Sequence, residues 1–378
     1  MADVMITGLG SSGGWALEFL ARTPDVSEIV VCDAKDRSKH IATALSGANH
    51  LGFYPRVRFE QVDLTDVERT ATIIEATKPA VILNCTALMP WYSRKLLDLP
   101  PDMATLLKHT GVAAWLPMHV CIIQRVMMAV HQAGVDSRVI NLCFPDAVNA
   151  ILARQGLAPA LGAGNADLLI PNLQRAVAAR LGGHEREVEV LLVAHHSLTG
   201  MGPSDTQETI PYYLKVLHRG RDVTEELPVD QMMYQAGQDR LPGAQLDSLA
   251  ASSMVKNALA ILRDSHLRTF APGPAGLVGG YPVEVARDSV EVRLPADLTM
   301  DQAVALNEHS QQRDGISEIA ADGTVNLTEK AWQSMYDLSG YRMPSFRPDE
   351  SYRRAMELID VYRGLKAKYG VKQDVPQA

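Results

Sequence analysis

The segment Val4–Asp33 constrains this chain more than any other. The apolar run Val4-Met5-Ile6 leads into Gly8-Leu9-Gly10-Ser11-Ser12-Gly13-Gly14, after which Trp15-Ala16-Leu17-Glu18-Phe19-Leu20 carries apolar side chains at helical spacing. Glu28-Ile29-Val30-Val31-Cys32 reads as a second buried strand, ending at Asp33, 20 positions beyond Gly13. Strand, glycine loop, helix and acidic strand end coincide, which is the dinucleotide-binding fingerprint rather than an isolated GxGxxG. The three glycines differ in what they do: Gly8 permits the tight turn, Gly10 lets the backbone approach a pyrophosphate, and Gly13 lets the helix pack on the strand. The phosphates then sit on free N–H groups at the helix start, beside Ser11 and Ser12. Asp33 accepts from ribose hydroxyls and repels a 2′-phosphate, so NAD is expected over NADP, while Lys35 and Arg37 just behind it work against that preference.

The alternation continues. Val57–Asp63 has a strand pattern, and Asp63 at its end is either an adenine-side contact or the N-cap of the next helix. Val67–Thr77 is helical, and Ala80-Val81-Ile82-Leu83-Asn84-Cys85 is a continuous apolar strand of the kind a parallel sheet buries on both faces. Its carboxyl end, including Asn84 and Thr86, is expected to face the cofactor, because open α/β sheets bind ligands at that edge. Residues 88–110, with Trp91, Tyr92, Arg94 and Lys95, read as an irregular connection of lid-like length. A helix over 113–133 feeds the strand Arg138–Cys143, which contains Asn141, and Pro145-Asp146 breaks the pattern after it. Asn141 is expected at the cofactor as well.

Beyond residue 148 the character changes. We expect a Rossmann-type doubly wound parallel sheet at 1–148, a mixed α+β substrate domain at 149–340, and a tail at 341–378 carrying an amphipathic helix over Ser351–Tyr369. Within the second unit the patterns give a helix at 147–155, a long helix ending at Leu181 and a strand over Val188–Ala194. They also give a strand pair, Tyr212–His218 with Val223-Thr224, turning at 219–222. A helix over 246–263, a hairpin of Tyr281–Val285 with Val290–Leu294, and a helix over 300–311 complete it.

A 378-residue chain can bury two substantial cores. Its net charge of −8 argues against a nucleic-acid surface. No secretory pattern opens the chain and no apolar run reaches membrane-spanning length, so a cytoplasmic location is expected. Cys32, Cys85, Cys121 and Cys143 lie in apolar segments without CxxC spacing, which fits buried thiols in a reducing compartment.

Residues 139–200 bring in a family. Asn141 ends a strand, Gly162–Asp167 delivers an aspartate, and Val193-Ala194-His195-His196 places histidines 28 and 29 positions after Asp167. This resembles the lactate and malate dehydrogenase superfamily, including its NAD-dependent family-4 glycoside hydrolases. The segment Lys215–Glu226 and the glycine-rich run ending at Asn165 are similar to the glycosidase branch, and Asp63-Leu64-Thr65-Asp66 is similar to saccharopine-type reductases. The resemblance implies an acid/base pair of Asp167 with His195 or His196, His195 matching the spacing slightly better. The family's substrate-carboxylate arginine is replaced by Ile170, and the glycosidases' metal-binding cysteine by Gly164, so keto-acid specificity does not carry over and no metal is expected.

The expected function is therefore NAD-dependent hydride transfer on a small secondary alcohol, hydroxy acid or sugar derivative. The alternatives are a glycoside hydrolase or lyase that oxidises its sugar transiently, and a non-catalytic NAD-sensing protein. A homo-oligomer, dimer or tetramer, is expected by resemblance and because two-fold interfaces are the commonest. No nucleic-acid or membrane partner is expected.

Overall fold

The computed structural model describes residues 2–372. Six parallel strands form the main sheet: β1 (Val4–Thr7), β2 (Glu28–Asp33), β3 (Arg56–Gln61), β4 (Val81–Asn84), β5 (Arg138–Asn141) and β6 (Leu161–Gly162). Their spatial order is β3-β2-β1-β4-β5-β6, the doubly wound arrangement in which the chain reverses direction beside β1. Val4 pairs with both Ile29 and Val81, which fixes β1 at the centre of the sheet.

Alternation along the central strands explains the two cores. Met5, Val30 and Ile82 point to one side, where they meet Ile74, Trp115 and Val126. Val4, Ile6, Val31 and Leu83 point to the other, against Leu17, Leu20, Met254 and Ala258. Side chains on successive strand residues face opposite ways, so an unbroken apolar run fills both layers.

The sheet does not stop at residue 148. β6 lies in the segment assigned to the substrate domain, and the helix Asp247–Arg263 packs on the same sheet face as Ser11–Leu20. The rest of the described residues build three small antiparallel sheets. β7 (Val188–Val193), β8 (Tyr213–His218) and β9 (Arg221–Asp222) form one, and β10 (Leu267–Pro272), β11 (Gly280–Val285) and β12 (Val290–Val292) another. The third comprises β13 (Ile316–Ile319), β14 (Val325–Leu327) and β15 (Ser345–Phe346). A bridge between Ala194 and Gly280 joins the first two at the end of β7, next to the histidines.

Several expectations change. The connection 88–110 is not irregular throughout: Ser93–Leu96 is a 3₁₀ turn and Pro101–His109 an α-helix, started by a proline at its first position. Pro145 likewise opens the helix Pro145–Ala153 instead of merely ending a pattern. The strand returning from β8 is Arg221–Asp222, not 223–224, because the turn closes at Arg219-Gly220, both with positive φ. The helix Val67–Thr77 is capped by Asp66, which accepts from the Arg69 N–H, and not by Asp63. The amphipathic helix Ser351–Tyr369 buries Ala355 and Leu358 in the core that also holds the helix Pro117–Ala133. Residues 373–378 of the assigned tail lie outside the described residues.

Candidate active site

The glycine loop follows β1 as its sequence requires. Gly8 has φ +86°, a left-handed conformation that glycine adopts without penalty. A Cβ on Gly13 would stand 2.1 Å from the Gly8 carbonyl oxygen, so only glycine lets the helix Ser11–Leu20 sit so close to the turn. Gly10 differs: its backbone suits any residue, and a Cβ there would meet nothing within 4 Å. The fold itself does not need glycine at position 10. A ligand approaching the backbone does, and Gly10, Ser11 and Ser12 line a cleft of about 580 Å³.

The helix behind the loop has no side-chain N-cap and no acidic residue in its first turn. Among the described residues, the N–H groups of Ser11, Ser12 and Gly13 have no hydrogen-bond partner, while Gly14 donates to Gly10. Free N–H groups at the positive end of a helix dipole are an anion seat. The loop thus fits the phosphates of a dinucleotide.

Asp33 holds the loop from below. Its Oδ2 accepts from the Leu9 N–H at 2.8 Å, its Oδ1 accepts from the Lys35 N–H at 2.8 Å, and the Arg37 Nε lies 3.1 Å from Oδ2. Asp63 is exposed and engaged locally, its Oδ1 accepting from the N–H and hydroxyl of Thr65.

The sequence points Asn84 and Asn141 at the cofactor, and the structure places both in a buried chain of amides. Thr7 and Thr86 hydroxyls donate to Asn84 Oδ1, Asn84 Nδ2 donates to Asn141 Oδ1 at 3.0 Å, and Asn141 Nδ2 donates to Asn149 Oδ1 at 2.9 Å. Asn149 then donates to the Gly273 carbonyl. Both asparagines are fully buried. This amide ladder ties β1, β4 and β5 to the second unit, and its polar atoms are consumed by one another because an unpaired buried amide is costly.

The two histidines, adjacent in sequence, take up different surroundings. His195 is fully buried, whereas the His196 side chain keeps 26% of its exposure and lines the cleft. Both reach one carboxylate: Asp314 Oδ2 lies 3.1 Å from His195 Nδ1 and 2.9 Å from His196 Nδ1. With Nδ1 committed to Asp314, Nε2 is the His196 nitrogen left to serve a ligand, and the Phe144 ring, edge-on with centroids 4.6 Å apart, steadies the imidazole. Burial pushes the Asp314 carboxyl up, but the two imidazoles override it and hold it far below the usual carboxylate range. Burial lowers His195, and the bond to Asp314 outweighs it, so His195 ends above its ordinary value.

Asp167 is therefore not the histidines' partner. Its carboxylate accepts from Lys256 Nζ at 2.7 and 2.9 Å and from the Ser253 hydroxyl, and makes no hydrogen bond or ion pair to either histidine among the described residues. The reason is the helix Asp247–Arg263, which lays Ser253 and Lys256 on one face, three residues apart, directly against Asp167. Asp314 sits in the 3₁₀ turn Gln311–Asp314, far along the chain, and no sequence spacing announced it.

The cleft also collects cations. Arg94 is anchored by donating to the Gly111 carbonyl at 2.6 Å, and Arg240 by donating to the Thr199 carbonyl at 2.9 Å. Lys95 stands 5.0 Å over the Trp91 ring. None of the three has a carboxylate within ion-pair distance among the described residues. Burial brings Arg94 down to about 10 and lowers Arg240, the signature of guanidinium groups without an anion. His119, beside Arg94 and His196, is brought down to about 4 by burial first and then chiefly by the Arg94 guanidinium, so it is neutral near pH 7. No helix is long and apolar enough to cross a membrane, and no cluster of three or more His, Cys, Asp or Glu could hold a metal, among the described residues.

A doubly wound sheet with a cleft at its carboxyl edge, closed by a second unit carrying a histidine at the end of a strand, is the fold of the lactate and malate dehydrogenases. Solved structures place the chain there. Malate dehydrogenase from Cryptosporidium parvum superposes with a TM-score of 0.57 at 16% identity, over 82% of this chain and 96% of that one. Lactate dehydrogenase from Cryptosporidium parvum, complexed with lactic acid and nicotinamide adenine dinucleotide, gives 0.58 at 15% identity, over 83% and 95%. Lactate dehydrogenase from Eimeria maxima with NADH and oxamate gives 0.57 at 14% identity, over 82% and 91%. No family model and no curated protein matches the sequence.

Proposed function

We propose that this protein is an NAD-dependent oxidoreductase acting on a small anionic hydroxy acid, with His196 as the acid/base and Asp314 as the carboxylate that positions it. One observation carries the reading: a single cleft brings together the open glycine loop, the His196–Asp314 pair and arginines without a carboxylate partner among the described residues. The solved structures with bound lactic acid or oxamate share the fold and give the reading a chemical precedent.

NAD supplies the hydride acceptor. Gly10, Ser11 and Ser12 take its phosphates. His196 Nε2 accepts the hydroxyl proton of the alcohol as it becomes a ketone, and Asp314 fixes the tautomer and stabilises the imidazolium. Arg94, adjacent to His119 and Asp314, and Arg240 across the cleft hold the substrate's anionic group, compensating for Ile170 in the position where the resembled dehydrogenases carry arginine.

The test is NADH formation by the purified protein with NAD and a panel of 2-hydroxy acids, beside uncharged secondary alcohols. Turnover restricted to anionic members, reduced about 10²–10⁴-fold by His196→Asn, supports the reading. A panel without turnover together with undiminished NADH binding by the Gly10→Val variant overturns it.

A further inference from the structure

The helix Asp247–Arg263 places a carboxylate beside the anion seat. Asp247 is 5% exposed and lines the cleft beside Gly10, Ser11 and Ser12. The Ser11 and Ser12 side chains line the cleft beside it, and the Trp91 indole N–H donates to its Oδ1 at 3.4 Å. It is a buried acid at the positive end of the helix Ser11–Leu20, where the glycine loop is shaped for phosphate. No cation pairs with it among the described residues.

We propose that Asp247 is a proton-coupled latch on the dinucleotide site: carboxylate and pyrophosphate compete for the same corner of the cleft, beside Gly10, Ser11 and Ser12, so the dinucleotide binds together with one proton from solvent, taken up by Asp247. This rests on the oxidoreductase reading above and adds to it a control of cofactor affinity by pH. Two anions packed against one helix end without water between them repel strongly, and protonating one of them removes the conflict at the least structural cost. Trp91 extends the effect to the segment that carries Arg94 and Lys95, since its indole closes on the same carboxylate.

The surroundings favour protonation. Burial raises Asp247 above the usual carboxylate range, with Ser11, Trp91 and Ser12 pulling it back in part. Facing it are Cys85 at the end of β4, whose thiol burial pushes up strongly, and Tyr92, which burial and then Asp247 itself push up. Neither becomes charged near neutral pH. The helix Ser11–Leu20 brings the uncharged Ser11 and Ser12 to the cleft beside it, and the Lys95 ammonium lies against the Trp91 ring.

NADH fluorescence titration of the full chain at pH 6, 7 and 8 tests this, with Asp247→Asn as the isosteric variant and calorimetry in two buffers of different ionisation enthalpy to count protons. Wild-type affinity should fall by up to about tenfold per pH unit between pH 7 and 8, with net proton uptake, as for one proton bound with the ligand. Asp247→Asn should bind at least about tenfold more tightly than wild type at pH 8, take up no proton, and melt at a comparable temperature. Equal affinities of the two proteins at pH 8 without proton uptake refute the latch and leave the dinucleotide site standing. Failure of both to bind NADH at every pH removes the oxidoreductase reading and the latch with it.

Discussion

Replacing Asp314 by asparagine separates the carboxylate chosen by the structure from the one chosen by sequence spacing. Asp314 is 7% exposed, and one of its oxygens lies within 3.1 Å of two imidazole nitrogens. The amide keeps the shape and removes the charge that orients His196 and stabilises its protonated form. General acid–base catalysis supplies about 10²–10⁴ in rate, equivalent to about 2.7–5.5 kcal/mol of transition-state free energy, so kcat/KM for Asp314→Asn should fall within that range. NADH affinity should hold, because the phosphates are bound elsewhere. Asp167→Asn should behave differently. It breaks a buried ion pair whose lysine is 31% exposed, so the loss appears chiefly in folding stability, toward the lower end of the about 3–5 kcal/mol typical of a broken buried pair. The assay pairs kcat/KM with thermal melts for both variants. Near-normal turnover in Asp314→Asn, together with a collapse of turnover in Asp167→Asn at unchanged melting temperature, would refute the assignment.

Three further outcomes are expected. Gly10→Val should abolish NADH binding with a stability change within about 0.5 kcal/mol, since its side chain projects into open cleft; Gly13→Ala, whose methyl meets the Gly8 carbonyl oxygen, should lose about 1–3 kcal/mol by chemical denaturation. Arg240→Met should raise KM for an anionic substrate at least about tenfold, the scale of losing one charge-assisted hydrogen-bond pair, and leave uncharged alcohols unaffected in steady-state kinetics. Stability should depend on pH at both ends through one unit: Asp314, depressed, stabilises above the usual carboxylate range and loses its contribution as pH falls toward its folded value, whereas His195, raised, stabilises below the usual imidazole range and loses it as pH rises through its folded value. Melting curves of wild type should therefore steepen in their pH dependence at those two ends relative to Asp314→Asn, and identical pH dependence would contradict the shared bond.

The glycine loop was legible because its physics is local. Turn, close approach and helix start all lie within Gly8–Gly14: a Cβ on Gly8 or Gly13 would strike a neighbour, whereas one on Gly10 would meet only open cleft. The central strands were legible for the same reason: unbroken apolar runs such as Val81–Leu83 can be satisfied only by burial on both faces. The pair His195-His196 was also visible, as polar residues at the end of such a run, but not which of the two reaches the cleft.

What the sequence alone determined is therefore the sheet, the loop that faces its carboxyl edge, and the presence of a histidine beside it. Tertiary structure decided the partners. Asp314 meets His196 from 118 residues away, Lys256 captures Asp167 from 89 residues away, and Asn84 donates to Asn141 across 57 residues. A short-range pattern fixes which backbone groups face the solvent edge, because strand and helix geometry repeat every few residues. The pairing of buried charges obeys no such period: each carboxylate takes the nearest unsatisfied donor that packing delivers, and packing is settled only when the whole chain has folded.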